Sequence, residues 1–341
     1  MSLKVFHIES GLGNQMLDYA DLLASKSVNP GCDMRVETMV YDIPGACATI
    51  NQWNGYELGS VFGIDAPNVR GLFSDGEWEK VVARVEASAF WERNWCYSAP
   101  VVDAFASFGV RLVDRNPRSD VSGRPSQTSW AKYRGRSLYY RLLPAKAASD
   151  AAGQEVVFAE SDEDEYTGHF LRLQYKGSGV ERIDADIREA FAFRSIDDER
   201  NGAFARYLDG CEAVAIHARR GDMLGRNGYC YKYGYFKRAV RFMRRRLGRP
   251  LFVFFCDPGS VAWCKENLAT FGLDGYPAGL VEFVDWNKGA DSFRDMQLMA
   301  DHCRHVIATN SSFGWWAGYL NRNPDKITCS PDPRIVATNS F

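Results

Sequence analysis

The second half of the chain alternates between strand-length apolar runs and helical stretches, and this alternation constrains its fold more than any other feature. The predicted strands share short apolar cores and are Ala213–His217, Leu251–Cys256, Val281–Val284, His305–Ala308 and Lys326–Cys329. The predicted helices between them are Tyr235–Leu247, Val261–Thr270, Phe293–Cys303 and Trp315–Leu320, and a Gly/Tyr-rich loop precedes the first of them. Strands separated by helices predict right-handed βαβ units and a parallel sheet.

The amino terminus shows a β-turn-α pattern of the kind that opens Rossmann-like domains. A strand at Lys4–Ile8 leads through a tight turn at Ser10–Asn14 into a helix at Gln15–Ser27. At 341 residues the chain is too long for one ordinary core. We therefore expect two α/β domains, residues 1–205 and 206–341.

The region from about residue 75 to 160 is an expected insertion of helices and long loops in the first domain. It alternates aromatic pieces with a stretch rich in Arg, Ser and Pro. The acidic run Glu160–Glu165 at its end is predicted to be a solvated loop.

Composition excludes several classes of protein. The charged fraction of 25% and hydrophobic fraction of 46% are those of a soluble globular chain, and the net charge of −2 provides no general attraction to nucleic acid. No apolar stretch approaches the roughly 20 residues that cross a bilayer, and the amino terminus lacks a signal peptide's apolar region. The 9 cysteines are scattered and odd in number. We expect a cytoplasmic protein without a nucleic-acid partner.

The segment Ala213–Asp222 ends a strand with a His, two Args, a Gly and an Asp. Ligands bind beyond the carboxyl ends of strands in open α/β sheets, and a guanidinium matches the oxygens of a phosphate. Arg219 and Arg220 are therefore candidate phosphate ligands, the alternative being a solvated strand end. His217 is either a general base or a hydrogen-bonding spacer.

A second candidate anion site follows the strand His305–Ala308. Small polar residues, Asn310, Ser311 and Ser312, come between this strand and the next helix, where backbone N–H groups attract anions. The alternative is an ordinary N-cap in which Ser312 satisfies those groups. Asp257, which follows Leu251–Cys256, is either a turn former or a site residue.

The helix Tyr235–Leu247 has one apolar and one basic side. Such a helix can rest on an anionic membrane surface, or it can pack on a sheet with its basic side solvated. The second reading fits its position between two strands.

Nothing in the sequence favours a metal or a dinucleotide cofactor. The acidic D-x-D patterns at Asp162–Asp164 and Asp184–Asp186 do not follow apolar strands, and Gly11–Asn14 lacks the third glycine of a dinucleotide fingerprint. That turn still lets backbone at Gly13, or the Asn14 side chain, approach a ligand closely.

Four motifs, in this order, resemble the α-1,2-fucosyltransferases of glycosyltransferase family 11. Those proteins carry G-x-G-N-Q-M/L, then H-x-R-R-G-D, an F-S-D-D-like strand end, and D-x-x-L-M-x-x-C-x-H-x-I-x-x-N-S-S-F-x-W-W. The counterparts here are Gly11–Met16, His217–Asp222, Phe254–Asp257 and Asp295–Trp316.

The resemblance implies a GT-B architecture, in which two Rossmann-like domains with parallel sheets face each other across a cleft. It also implies inverting transfer of L-fucose from GDP-β-L-fucose, without a metal or other cofactor, to the O2 of a terminal β-galactoside. The acceptor would be a glycan, for which a lipid-linked repeat unit of a surface polysaccharide is one option. Contact with the inner membrane surface would then be peripheral, and the oligomeric state stays open.

Site roles follow from the same resemblance. Arg219 is the expected principal phosphate ligand, joined by Arg220 and by the turn Asn310–Ser312. Asp222 would orient the arginine pair, and His217 would brace the loop or touch the donor. Asp295 is the candidate for reading guanine, and Asn14 for contacting fucose or phosphate from the acceptor domain.

Three departures from the family pattern are visible. Glu9-Ser10 stands where glycine is usual, which makes Glu9 a possible general base. Cys256-Asp257-Pro258 replaces S-D-D and leaves the role of Asp257 open, and Ala317-Gly318 inverts G-A. Two alternative functions are left open. The protein is either a fucosyltransferase with a non-galactose acceptor or a non-catalytic protein that binds nucleotide sugars.

Overall fold

The computed structural model describes residues 1–49, 54–93, 95–115, 130–146, 158–168, 182–221 and 224–331. Their contacts divide them into two compact units. The first comprises the described residues of Met1–Gly123 and Gln154–Ala192, and the second those of Arg124–Gly153 and Phe193–Phe341. Each unit is built on its own sheet.

The sheet of the first unit is entirely parallel in the described residues. Its strands are β1 (Leu3–His7), β2 (Asp33–Glu37), β3 (Val113–Asp114) and β4 (Glu165–Thr167), in the order β2-β1-β4-β3. The predicted strand Lys4–Ile8 is confirmed to within one residue. Val5 and Phe6 are buried in β1, which lies between β2 and β4.

The helices of the first unit cover this sheet. They are α1 (Leu12–Val28), α2 (Pro44–Thr49), α3 (Leu58–Phe62), α4 (Asp75–Ala87), α5 (Ser98–Ala106) and α7 (Asp184–Ala190). Helix α1 begins three residues earlier than predicted. Trp78 and Val81 of α4 and Phe105 of α5 lie in the same core as Val5 and Tyr166, so this part of the predicted insertion builds the core.

The acidic run Glu160–Glu165 is the predicted solvated loop as far as Asp164, with all four of its acidic side chains up to that point exposed. Its last residue, Glu165, begins β4, and its Oε2 lies 3.0 Å from Nζ of Lys4. Lys4 Nζ also donates to the carbonyl of Glu163 at 2.8 Å, and the Leu3 amide donates to Asp164 Oδ1 at 2.7 Å. A lysine only 1% exposed requires such partners, because an unpaired buried charge is costly.

The sheet of the second unit confirms the predicted alternation. Its strands are β5 (Ala213–Ala218), β6 (Leu251–Cys256), β7 (Val281–Val284), β8 (His305–Ile307) and β9 (Thr328–Cys329). They are all parallel, in the order β7-β6-β5-β8-β9. The chain builds outward from β5 through β6 to β7, then returns to the other side of β5. The point where strand order reverses therefore lies between β5 and β8.

The helices of the second unit differ from prediction at several places. They are α6 (Trp130–Leu142), α8 (Glu199–Asp209), α9 (Leu224–Lys232), α10 (Tyr235–Leu247), α11 (Val261–Glu266), α12 (Leu268–Phe271), α13 (Phe293–Gln297) and α14 (Ser312–Leu320). Helix α9 replaces the predicted Gly/Tyr-rich loop, because Tyr229 and Cys230 pack into the core. The stretch Phe293–Cys303 changes from α13 into a π-helical turn at Leu298–His302.

Two parallel sheets with flanking helices make this a mixed α/β protein with Rossmann-like units. Within the described residues, no helix combines the length and the apolar character that crossing a membrane requires.

Candidate functional site

Two loops of the second unit leave the sheet where its strand order reverses. One follows β5, whose penultimate residue is His217, and carries Arg219 and Arg220, and the other follows β8 and carries Asn310 and Ser311. Ile216 of β5 pairs with Ile307 of β8, so the loops begin side by side. Ligands of open α/β sheets bind at such switch points.

Within the described part of the chain, several buried polar atoms of His217 and of these two loops have no hydrogen-bond partner. They are Nδ1 of His217, Nε of Arg220, Oγ1 of Thr309, Nδ2 of Asn310 and Oγ of Ser311. Leaving a buried polar group unsatisfied costs about 1–3 kcal/mol, and most such groups in native proteins are paired. A concentration of them at a switch point indicates a site whose bonds are completed by a polar ligand.

Ser311 shows that the second loop is not an ordinary helix cap. It is the N-cap residue of α14, but its side chain makes no capping hydrogen bond. The N-cap alternative assigned that bond to Ser312, which is instead the first helical residue and is 8% exposed. The positive end of a nine-residue helix thus lies next to an unbonded hydroxyl, an arrangement suited to an anion.

His217 is held as a neutral imidazole. Burial, and then the charge of Arg219, lower its pKa to about 3. Its ring stacks on Phe313 with centroids 5.6 Å apart, and a Cβ at Gly314 would lie 2.5 Å from its Nδ1. His217 is therefore placed to exchange a hydrogen bond with a ligand without adding positive charge.

The two arginines have different surroundings. The guanidinium carbon of Arg220 lies 3.6 Å from the ring centroid of Trp263 and 5.8 Å from that of Tyr231. Arg219 has a side chain 28% exposed, and its Nε lies 3.9 Å from Asp257 Oδ1. Stacking on Trp263 fixes Arg220 in place, whereas the Arg219 side chain lies near a carboxylate and is partly exposed.

The side chain of Asp257 holds the loop after β5 by accepting hydrogen bonds from the backbone amides of that loop. One carboxylate oxygen, Oδ2, accepts the amide hydrogens of Arg220 at 2.5 Å and Gly221 at 2.8 Å. The geometry thus supports the turn-forming reading of Asp257, and the turn that it organises carries candidate ligands. Asp222, which we expected to orient the arginine pair, lies outside the described residues.

Asp295 belongs to a relay of side-chain amides that the sequence did not reveal. Its Oδ1 accepts from Nδ2 of Asn287 at 2.8 Å, and Asn287 exchanges hydrogen bonds of 2.8 and 3.1 Å with Asn201. Burial raises the pKa of Asp295 to about 7, although the bond from Asn287 opposes this shift. No spacing in the sequence connects Asn201, Asn287 and Asp295, which come from three different elements.

Gly13 and Asn14 lie in the first unit, in the opening turn of α1, where Gly13 is buried and Asn14 half-buried. The neighbouring Gln15 has the clearest structural role. Its Nε2 donates to the carbonyls of Ser10 and Gly55, at 2.9 and 2.8 Å, and its Oε1 accepts from the Glu57 amide at 2.8 Å. The glutamine of this motif therefore holds the segment around residues 55–57 against α1.

A buried ionic cluster lies at the carboxyl edge of the first unit's sheet. His7 ends β1 and Glu37 ends β2, and both are at most 2% exposed. Glu37 Oε2 accepts from Tyr166 Oη at 2.9 Å. On the other side, His7 Nε2 lies 3.4 Å from Oε2 of Glu9, which also accepts from Nε1 of Trp95. Glu9 was singled out by its departure from the family pattern, but the sequence offered no signal for its partners.

Comparison with known proteins gives a family match that lies within the second unit. Residues 200–331 match the family model described as Glycosyl transferase family 11. This range contains β5–β9, the loops after β5 and β8, and the Asn201–Asn287–Asp295 relay. The fold and the match define a glycosyltransferase domain. Residues 200–331 are thus similar to glycosyl transferase family 11.

Two individual proteins are also similar to this chain. An alpha-1,2-colitosyltransferase of Escherichia coli is 22% identical over 98% of this chain and 92% of its own length. The human galactoside alpha-(1,2)-fucosyltransferase 1 is 33% identical over 112 residues, which are 31% of this chain and 28% of the human protein. The chain thus aligns with under a third of the human enzyme. No solved structure matches.

Proposed function

We propose that this protein is an inverting, metal-independent fucosyltransferase with the two Rossmann-like domains of a GT-B enzyme. It would transfer L-fucose from GDP-β-L-fucose to O2 of a terminal β-galactoside in a glycan, forming an α-1,2 linkage. The observation that carries this proposal is the set of buried polar atoms, without partners among the described residues, at the switch point of the domain that matches family 11.

The diphosphate of the donor is the ligand that this set suits best. As the acceptor O2 bonds to C1 of fucose, the bond from C1 to the phosphate oxygen breaks and its electron pair leaves with GDP. Arg219, Asn310 and Ser311 would stabilise the charge that develops on that oxygen, with the amino end of α14 beside them. Donors already in position act most strongly as charge develops.

The neutral state of His217 is consistent with a hydrogen-bonding role, separate from the charge-stabilising role of the arginines. A hydrogen bond from its ring can position a phosphate or the sugar, while the arginines supply the charge. Asp257 would keep the loop in its bound shape, and Arg220, stacked on Trp263, would add to the local positive potential.

Asp295 is our candidate for guanine recognition. An ionised carboxylate can accept both from N1–H and from the 2-amino group of guanine. The bond from Asn287 to Oδ1 favours the ionised form and fixes the carboxylate plane. Discrimination of this kind is strong because a mismatched base leaves a buried polar group unpaired.

Glu9 is our candidate for the base that receives the acceptor proton, with Asn14 as a neighbouring sugar contact. In this reading the proton moves from the acceptor hydroxyl to the Glu9 carboxylate while the new glycosidic bond forms. His7 and Trp95 would fix the orientation of that carboxylate.

No divalent cation is part of the proposal, since guanidinium groups and helix amides can offset the charge of the diphosphate. Among the described residues, no three His, Cys, Asp or Glu side chains form a group that could hold a metal. We expect chelation by EDTA to leave activity unchanged. Complete loss, restored by Mg²⁺, would contradict the metal-free proposal.

A second candidate donor comes from the Escherichia coli relative, which aligns across nearly the whole chain. Colitose is L-fucose without the hydroxyl at C3, so the two donors differ by one polar group. The choice between them depends on whether a protein group pairs with that hydroxyl.

A matrix of donors and acceptors tests the function. GDP-fucose and GDP-colitose are each incubated with β-galactosides, other oligosaccharides and a lipid-linked glycan, and products are identified by mass spectrometry and NMR. We expect an α-1,2-fucosyl β-galactoside. Transfer elsewhere would support a different acceptor, and GDP-fucose binding without turnover would support a non-catalytic binding protein.

A further inference from the structure

Helix α10 presents a concentrated positive surface that the proposed reaction does not use. Tyr235–Pro250 contains no acidic residue, although the whole chain has a net charge of −2. The cations of the helix are Lys237, Arg238, Arg241, Arg244, Arg245 and Arg246. The positive charge is therefore local and not a property of the whole protein.

Packing fixes the direction in which these cations point. Phe236, Ala239, Val240 and Met243 of α10 are buried in the core of the second unit. At about 100° per residue, Lys237, Arg241, Arg244 and Arg245 fall within an arc of roughly 100° on the opposite side. The buried face holds the helix in place and keeps the cations on the surface.

Four of these cations have no carboxylate partner among the residues that the structure describes. Within the described part of the chain, no Asp or Glu oxygen lies within 4.0 Å of Arg241, Arg244, Arg245 or Arg246. All four are exposed. Like-charged neighbours on one helix repel one another, and an external anion that binds between them would relieve this repulsion.

Three arginines of α10 line one depression in the surface. Arg241, Arg244, Arg245 and Gly248 line this open depression, whose volume is about 370 Å³. Arg244 is held in place, since its guanidinium carbon lies 4.9 Å from the ring centroid of Tyr276. A depression with three unpaired guanidiniums suits a phosphate group, because each presents a planar set of donors.

An exposed aromatic ring lies within the same surface. The Phe242 side chain is 41% exposed, and Arg246 lies over its ring at 4.4 Å. Basic helices with an aromatic side chain among their cations are typical of proteins that bind in the interfacial layer of a bilayer.

We propose that this exposed face of α10 docks the protein onto an anionic phospholipid bilayer. A lipid phosphate would occupy the depression lined by Arg241, Arg244 and Arg245, the other cations would contact neighbouring headgroups, and Phe242 would enter the interface. Charge complementarity and the aromatic ring favour a bilayer over nucleic acid or a free phosphate compound. The inference does not depend on the proposed transferase activity.

Vesicle flotation with the full chain tests the proposal. At about 0.1 M NaCl we expect binding to phosphatidylcholine vesicles that contain about 30% phosphatidylglycerol, and no binding to phosphatidylcholine alone. Raising the salt to about 0.5 M should release the protein, because the Debye length shortens. The double variant Arg241→Glu/Arg245→Glu should bind at least about tenfold more weakly.

A matched variant distinguishes an effect of the position of the cations on α10 from an effect of the protein's net charge. Arg206→Glu/Arg304→Glu changes the charge equally, at exposed positions outside α10, and should bind vesicles like the wild type. Circular dichroism and thermal unfolding establish that both variants are folded. Phe242→Ser should weaken binding without changing its dependence on salt.

Several outcomes would overturn the proposal. They are absence of binding to anionic vesicles, equal binding to neutral ones, and equal loss in both double variants. Retention of vesicles by Arg241→Glu/Arg245→Glu would place the docking surface elsewhere. Pyrophosphate or duplex RNA that binds at α10 while vesicles do not would assign the surface to those ligands instead.

Discussion

His7 Nδ1 lies 2.5 Å from Oε2 of Glu37, and the two residues are register partners at the carboxyl ends of adjacent parallel strands. Both side chains are buried, and Tyr97 stacks on the imidazole with ring centroids 3.9 Å apart. Burial alone would lower the pKa of His7, but Glu37, and then Glu9, raise it to about 10. The cluster therefore contains an imidazolium at neutral pH.

Removing the charge of Glu37 should destabilise the protein. Glu37→Gln leaves the imidazolium without its main partner, and breaking a buried ion pair on one side costs about 3–5 kcal/mol. Urea unfolding at pH 7 measures this loss. Glu92→Gln, at an exposed site, is the control and should differ from wild type by less than about 0.5 kcal/mol.

The same pair predicts how stability depends on pH. Because the folded pKa of His7 is raised, its contribution is fully present below about pH 6.5 and is lost as pH rises through about 10. Wild-type stability should therefore fall more steeply between pH 7 and pH 10 than that of His7→Gln. Parallel stability curves for the two proteins would show that His7 is not protonated in the fold.

Alanine variants of the two arginines after β5 should differ in their effects on transfer activity and on thermal stability. Arg219→Ala should reduce transfer at least about 100-fold and leave the unfolding curve unchanged, because it removes charge-assisted bonds to the leaving group. Arg220→Ala should lower the thermal midpoint as well, since it removes the stack on Trp263. Wild-type-like activity of Arg219→Ala would refute the phosphate assignment.

Asp295 predicts that GDP binding depends on pH. Only the ionised carboxylate accepts both guanine hydrogens, and its pKa in the unliganded protein is about 7. Affinity should rise with pH up to about 7 and then level off, with at most about a tenfold change per pH unit below it. Calorimetry from pH 5.5 to 8.5 measures this, and Asp295→Asn should flatten the profile. An unchanged profile in Asp295→Asn would remove this residue from the guanine site.

Glu9→Gln tests the proposed base. The amide oxygen can still accept from Trp95, so we expect a folded protein that binds GDP-fucose normally. Transfer should fall about 10²–10⁴-fold, the usual contribution of a positioned acid or base. Retention of transfer would exclude Glu9 as the base, while loss of donor binding would indicate a structural role.

Gly314 should tolerate no side chain. A Cβ there would lie 2.5 Å from His217 Nδ1 and 3.2 Å from the Cβ of Ala308, so Gly314→Ala must displace His217 or α14. We expect a loss of about 1–3 kcal/mol in stability and weaker GDP binding. Gly228→Ala is the matched control, because nothing lies within 4 Å of its added Cβ.

Sequence patterns located most of the second unit's framework. Strands β6 and β7 and helix α10 begin and end at the predicted residues, because continuous apolar runs and a strong helical periodicity determine them locally. Helix α9 was missed, since its glycines and tyrosines resemble a loop until tertiary packing buries Tyr229 and Cys230. Glu165 was misjudged for a similar reason, because its partner Lys4 is distant in sequence.

The candidate site was predictable only in part. Motif order brought His217, Arg219, Asn310 and Ser311 to attention, and the strand order places their loops side by side. The partners of Asp295 and of Glu9 were not predictable. They depend on contacts between elements that are far apart along the chain, and single-sequence periodicity carries no such information.

The hydrogen bonds from the backbone amides of Arg220 and Gly221 to the Asp257 carboxylate have a practical consequence for redesign. Main-chain atoms define the path of that turn, so residues 219 and 220 can be exchanged while their Cα positions persist. Libraries that vary position 219, with Asp257 and Arg220 kept constant, would sample new sugar-nucleotide preferences without removing the stack on Trp263.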